Sequence, residues 1–150
     1  MKGGFQGALD HIRQEAETLF SQGRLFERLM KRYFLKDPLY SDRFSDVWLY
    51  GEWARKQHDF DSRDTGIDLV AEEHDGGHCA IQCKCYAPST RILKKHIQSF
   101  IAESDRDPFT ARLIVDTGAE WGYTAKKTIE NLKTHCQVLH FADFADRPIR

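Results

Sequence analysis

Residues 67–73 and 78–85 are two short runs of β-branched and apolar side chains separated by Asp75-Gly76-Gly77. Glycine reaches positive φ without steric cost, and an Asp-Gly pair between two such runs is a strong short-range hairpin signal. A hairpin here constrains everything around it, because side chains alternate across each strand. On the second strand His78, Ala80, Gln82 and Lys84 share one face, while Cys79, Ile81, Cys83 and Cys85 share the other. On the first, Ile67, Leu69 and Ala71 face one way and Asp68 and Val70 the other. A two-residue turn at Asp75-Gly76 sets Asp68 opposite Cys83 and mixes the two chemistries. A three-residue turn through Asp75, Gly76 and Gly77 sets Asp68 opposite Lys84 and Val70 opposite Gln82. Only an odd-numbered loop keeps polar beside polar, so the expectation is an odd loop with a glycine bulge.

The rest of the chain frames this hairpin. Between residues 8 and 35, Leu9, Ile12, Ala16, Leu19, Phe20, Leu25, Phe26, Leu29, Met30, Tyr33 and Phe34 recur at spacings of three and four. The pattern predicts one long helix, or two with the break at Gly23, ended by Asp37-Pro38. Residues 41–58 carry a weaker helical repeat through Phe44, Val47, Trp48 and Trp53, whose aromatic rings are expected in the core. After the hairpin, a helix is predicted from 89 or 90 to 103, with Ile92, Leu93, Ile97, Phe100 and Ile101 as its buried stripe. A strand over 111–118, a helix over 123–135 and a strand over 137–141 complete the order α-α-β-β-α-β-α-β. Strands alternating with helices late in the chain imply parallel neighbours, covered on both faces and added to an antiparallel hairpin.

A chain of 150 residues is expected to form one domain. A mainly helical part over 1–60 would precede a sheet core over 64–140. With 41% hydrophobic and 30% charged residues it has neither the composition of a disordered chain nor an uncharged run able to cross a membrane. Charges interrupt the N-terminus where a signal peptide needs an apolar region, so the expected location is the cytoplasm. Three of the four cysteines fall on one short strand, which reads as reduced thiols and not as a disulfide framework. A zinc module built from His74, His78, Cys79, Cys83 and Cys85 is disfavoured, because the thiols line the core face and no CxxC pair is present. Net charge is only -1, yet basic residues cluster locally. Arg24, Arg28, Lys31, Arg32 and Lys36 surround Glu27, and Lys84, Arg91, Lys94, Lys95 and His96 follow one another without an intervening acid. Charge counting alone leaves open whether these are solvated faces or a polyanion surface. Glu72, Glu73 and Asp116, beside turns, read as solvated.

Brought together, the carboxylate of Asp68, the amide oxygen of Gln82 and the ammonium of Lys84 are the parts of a divalent-cation site with an adjacent charge-stabilising group. The same spacing accommodates a plain Asp68–Lys84 salt bridge with Gln82 filling space. Here the sequence takes on a family likeness. Gly66-Ile67-Asp68, a strand-turn-strand and Gln82-Cys83-Lys84 resemble the Mrr-like branch of the PD-(D/E)xK nuclease superfamily, where glutamine stands at the second acid. The longer run over residues 66–121 (GIDLVA, CAIQCKCY, a helix containing HIQSF, then RLIVDTGAEW) is similar to the N-terminal nuclease domain of Type ISP restriction-modification enzymes and helicase-linked relatives.

That resemblance implies an α/β, restriction-endonuclease-like three-layer fold, a central mixed sheet flanked by helices, and Mg²⁺-dependent hydrolysis of DNA, with Mn²⁺ a possible substitute. Carried over by position, Asp68 is the metal-binding carboxylate, Gln82 the second ligand, Cys83 a main-chain carbonyl ligand and Lys84 the catalytic lysine. Family members add an acid from the first helix, and G23-R24-L25-F26-E27 resembles that element, which makes Glu27 a further site residue. Arg28, Lys31, Arg91, Lys94 and Lys95 are the expected DNA-backbone contacts. Two departures stand out: Ile67 replaces the proline before the first acid, and Gln82 removes one negative charge, which weakens metal affinity until DNA phosphate completes the site. Residues 141–150 read as the start of a linker to a helicase-type motor and target-recognition domains. The rival reading is a non-catalytic DNA-binding or docking domain that retains the nuclease fold.

Overall fold

The structure is a computed structural model, and it describes residues 4–57, 60–61, 66–87, 89–118, 120–133 and 135–147. The residues leading into the motif at 64–65 and the end of the expected linker at 148–150 lie outside the described residues.

Helix α1 (Gly4–Glu15) is followed by α2 (Leu19–Lys36) and a single turn, α3 (Pro38–Ser41). The break between the first two falls at residues 16–18, not at Gly23, which lies inside α2. Thr18 starts the new helix: its hydroxyl accepts the Ser21 N–H at 3.0 Å while the Ser21 hydroxyl accepts the Thr18 N–H at 3.1 Å, so two N–H groups that no helical turn could satisfy are paired. Asp37 ends α2 and caps α3, with Pro38 at its first position.

Residues 41–58 depart from expectation. In place of a helix the chain forms strand β1 (Phe44–Leu49) and then a short helix α4 (Tyr50–Ala54). The apolar spacing misleads because β1 carries a bulge: Phe44 pairs with Glu73 and Asp46 with Glu72, so two steps on β1 match one on its partner. The extra residue puts Phe44 and Val47, three apart, on one face, where both are buried. A helical period is thus imitated by a kinked strand.

The hairpin consists of β2 (Leu69–Glu73) and β3 (His78–Lys84). Its loop is odd-numbered as expected, but it is His74-Asp75-Gly76, since Glu73 N–H bonds to the Gly77 carbonyl and Val70 pairs with Ala80. The register therefore differs by two residues from the expected one. Gly76 has φ +96, and a Cβ on Gly77 would collide with the Thr110 side chain. Because the slip is even, the face assignments of β3 survive it.

Strand β4 (Arg91–Ile92) precedes α5 (Lys94–Ser104), so the expected helix start at 89 or 90 is corrected. Arg91 and Ile92 pair instead with β6 (Glu120–Trp121), and Leu93 is exposed rather than part of the buried stripe. Strand β5 (Phe109–Asp116), helix α6 (Tyr123–Glu130), strand β7 (Cys136–His140) and helix α7 (Phe141–Phe144) complete the chain.

The main sheet has the order β1-β2-β3-β5-β7. The first two pairings are antiparallel and the last two parallel. One face, with Leu69, Ala71, Cys79, Ile81, Leu113, Val115 and Leu139, packs against Phe5, Phe26, Met30 and Phe34 of α1 and α2. The other, with Val70, Ala80 and Ile114, packs against Trp53, Ile97, Phe100 and Ala125 of α4, α5 and α6. This is the expected mixed sheet between helical layers. Leu19 and Phe20, counted above in the apolar repeat, are exceptions: they are 85% and 77% exposed at the start of α2. Among the described residues no helix is long and apolar enough to cross a membrane.

Candidate active site

The β2–β3 ladder stops at Leu69–Ile81. One residue earlier, Asp68 donates its main-chain N–H to Ile81 and accepts that of Tyr50 from α4, while its carboxylate takes the Cys83 N–H at 2.7 Å. A side-chain oxygen thus occupies the place of a strand partner, and the two strands part. The opening between them joins a cleft of about 630 Å³ whose lining includes Gly23, Arg24, Glu27, Arg28, Arg55 and Asp68.

Glu27 enters from α2. It directly follows buried Phe26 and precedes buried Met30 by three, so helical phase puts it at the border of the packed stripe. Its side chain is 12% exposed, with the Arg24 guanidinium at 3.8 Å. The Glu27 and Asp68 carboxyls line the same cleft and are close enough to act on each other through charge and side-chain hydrogen bonding. Burial, and then the charge of Glu27, hold the Asp68 carboxyl well above the usual carboxylate range, against the opposing pull of the Cys83 N–H and the Lys84 charge. Two acids held this close share a proton or take a cation in its place.

Gln82 is buried on the α5 side of the sheet. Its Nε2 donates to the Gly66 carbonyl at 3.2 Å and, more weakly, to the His96 carbonyl at 3.5 Å. Two acceptors fix which end of the amide is nitrogen, so Oε1 is the atom left over; it is buried with no hydrogen-bond partner among the described residues. This accounts physically for the departure at the second acid, because a carboxylate at 82 would set an oxygen against those carbonyls. Lys84 is half-buried, its Nζ 5.6 Å from the centroid of the Tyr86 ring. His96 accepts the Leu93 N–H through Nδ1 at 2.9 Å, and burial and then the charges of Lys84 and Lys95 lower its pKa, so it is a neutral neighbour and not part of a basic run.

The cysteines pack as small apolar groups. Burial pushes Cys79 up to about 12 and Cys85 up to about 11; Cys83 is raised well above the ordinary thiol range by burial and by the Asp68 and Glu27 charges. The core-facing assignment of all three stands.

The donors at the cleft, two carboxylates and main-chain oxygen, suit a hard divalent cation, while the unpaired amide oxygen of Gln82 is buried on the α5 side and is not among the residues lining the cleft. Among the described residues no three His, Cys, Asp or Glu side chains gather in a way that could hold a metal ion, so within them any ligand beyond Glu27 and Asp68 comes from an amide, main chain, water or substrate.

The expected backbone contacts divide. Arg28 lines the cleft, joined by Arg24 and by Arg55, which sequence reasoning missed because α4 lay inside a misread stretch. Lys31 is tied to Glu52 at 3.1 Å. Arg91, Lys94 and Lys95 line a different hollow, of about 430 Å³, with Tyr123. Two acids read as solvated are not. Glu73 is 2.7 Å from the Arg43 guanidinium, and Asp116 is fully buried, accepting from Trp121 Nε1 and Gly118 N–H at 2.9 Å and bonded to His140 Nδ1 at 2.7 Å. The signal for Asp116 was slight: a polar residue closing an apolar strand, with an aromatic N–H five positions on.

Comparison with known proteins places this geometry. The family model described as a restriction endonuclease matches residues 35–150. The structure is similar to an ATP-dependent Type ISP restriction-modification enzyme, LlaBIII, bound to DNA, with TM-score 0.72 and 28% identity over 93% of this chain and 8% of that one. It is also similar in fold to the MspJI restriction endonuclease in complex with a 27-mer oligonucleotide, with TM-score 0.59 and 15% identity over 93% of this chain and 30% of that one. The chain therefore spans only a small part of the proteins it resembles. No curated protein sequence matches it. By its family match, its sheet order and its layered architecture, the chain belongs to the Mrr-type restriction endonuclease family and is a nuclease module.

Proposed function

We propose that this module hydrolyses DNA phosphodiester bonds with a divalent cation, Mg²⁺ or Mn²⁺, at the paired acids Glu27 and Asp68. The observation that carries this reading is that two acids, Glu27 and Asp68, line one cleft, where the Glu27 charge helps hold the Asp68 carboxyl up, an arrangement that calls for a cation. Asp68, Glu27 and the Cys83 carbonyl would hold the metal. A bound divalent cation supplies positive charge against the phosphate oxygens and makes an attacking water more acidic. Lys84 stands next to the pair in β3 and adds a fixed positive charge where negative charge develops on phosphorus-bound oxygens. Arg24, Arg28 and Arg55 would hold the DNA backbone in the cleft, with Lys31 at its margin, and the anchored Gln82 amide would keep the strands parted. Arg91, Lys94 and Lys95, on the other side of the sheet, would engage a more distant part of the duplex.

The match to 8% of a Type ISP enzyme supports a place in a larger protein, with motor and target-recognition domains C-terminal to this module. Titration calorimetry of Mg²⁺ and Mn²⁺ into the wild type, Asp68→Asn and Glu27→Gln tests the metal assignment. Heat in the wild type that is lost in both variants is expected; equal heats in all three proteins would refute it.

A further inference from the structure

The nuclease reading leaves unused a group built with unusual care. Asp116 ends β5 with no exposed surface, and its carboxylate is fully committed: Oδ1 to the Gly118 N–H, Oδ2 to Trp121 Nε1 and to His140 Nδ1. His140 ends β7, and its side chain is 52% exposed. A buried carboxylate beneath a solvent-facing imidazole commits Nδ1 as the inner nitrogen and leaves Nε2 as the outer one.

The position matters as much as the chemistry. In the parallel half of the sheet Lys84 pairs with Asp116, and Asp116 with His140. The three residues form one row across adjacent strand ends, on one face, at the edge where Asp68 lies. Two strand spacings separate Lys84 from His140, about 10 Å. A duplex carries one phosphate per roughly 3.4 Å of axis on each strand, so backbone passing Lys84 presents another phosphate near His140 within a few nucleotides. The charged neighbours are Lys84 and Asp116 in the row, and Asp143 of α7, whose carboxylate accepts the His140 main-chain N–H at 2.9 Å.

We propose that His140 is a DNA-phosphate contact, oriented by Asp116, that receives the backbone beyond the scissile position. With Nδ1 facing Asp116, the ring can meet a phosphate through a second donor, the outward Nε2–H, with the buried carboxyl group behind it. Trp121 and Gly118 are positioning groups for Asp116. The proposal rests on the nuclease reading, and it adds a binding residue outside the Glu27–Asp68 cleft. The competing account is a staple that merely ties β7 to β5.

Fluorescence anisotropy of a labelled duplex in EDTA, across a roughly fourfold rise in salt, distinguishes the two. Removing one ionic phosphate contact lowers the slope of log affinity against log salt by about 0.9, so His140→Ala should lose about 3.5-fold less affinity than the wild type over that range. Its affinity at the lowest salt should be correspondingly weaker, and its melting temperature should fall modestly because buried Asp116 loses a partner in either account. His140→Lys, which keeps a cation there, should restore the slope. An unchanged slope and affinity in His140→Ala, or a fall in melting temperature with the slope intact, would overturn the proposal in favour of the staple. A wild type that binds no duplex at all would count against the nuclease reading itself, which is a separate result.

Discussion

Replacing Glu27 with glutamine keeps the shape and a hydrogen-bonding group while removing one of two like charges. Unit charges about 4 Å apart repel by roughly 4 kcal/mol at an effective dielectric of 20, which bounds the effect. Burial raises the Asp68 carboxyl first, and the Glu27 charge second, so the substitution relieves part of the shift. Each unit relieved corresponds to about 1.4 kcal/mol. The direction follows from linkage. A carboxyl whose folded pKa is raised contributes its stability below the unfolded carboxylate pKa, and that contribution is lost as pH rises through the raised folded pKa. In EDTA the wild type should therefore lose stability between acid and mildly alkaline pH, the pair titrating as a unit. Glu27→Gln should flatten that fall, gaining about 1–3 kcal/mol over the wild type at the alkaline end and little at the acid end. Urea denaturation at a series of pH values reads this directly. Saturating Mg²⁺ at about 100 times its Kd should stabilise the wild type by about 2.7 kcal/mol and the variant far less. Parallel pH profiles for the two proteins would show that the carboxyls do not meet, and the reasoning would fail.

Three other outcomes follow from the same geometry. Gln82→Glu, despite restoring the acid common in the superfamily, should cost about 1–3 kcal/mol in EDTA, because a carboxylate oxygen then faces the Gly66 and His96 carbonyls; an unchanged urea midpoint would contradict the anchored amide. Lys84→Ala should reduce plasmid cleavage by at least about 100-fold while DNA affinity changes only a few-fold, and retained cleavage would remove Lys84 from the chemistry. Thr18→Ala should cost about 1 kcal/mol in thermal or urea unfolding, as the loss of a helix cap does; no effect would mean the start of α2 is frayed in solution.

The parts of this fold that were legible in the sequence are those in which one local rule acted alone. The Asp75-Gly76-Gly77 signal announced a hairpin, and alternation then assigned Cys79 and Ile81 to one face and Gln82 to the other without knowledge of the register. Even the slip of two residues left that assignment intact. What escaped was decided by partners distant in sequence. Phe44 and Val47 looked helical because a bulge opposite Glu72 and Glu73 imitates a helical period, and Arg91-Ile92 is a strand only because Glu120-Trp121 lies beside it. The helix break shows a different failure: Gly23 was the conspicuous residue, but the quieter Thr18–Ser21 pair did the capping. At the site, the resemblance pointed to Asp68, Gln82, Lys84 and Glu27, and the geometry brings Glu27 and Asp68 into one cleft. It does not bring Arg91, Lys94 and Lys95 to the same cleft, since charge clusters in sequence carry no information about which side of the sheet they occupy. Asp116 was misjudged because its burial depends on Trp121 and His140, which reach it from the strands β6 and β7.

Cleavage of supercoiled plasmid by the wild type and by Asp68→Ala, each with Mg²⁺ and with EDTA, tests the central claim most directly. The account predicts nicked or linear DNA only for the wild type with Mg²⁺, and none for the variant under either condition, with both proteins equally folded by circular dichroism. Equal cutting by Asp68→Ala, or cutting by the wild type that persists in EDTA, would contradict it.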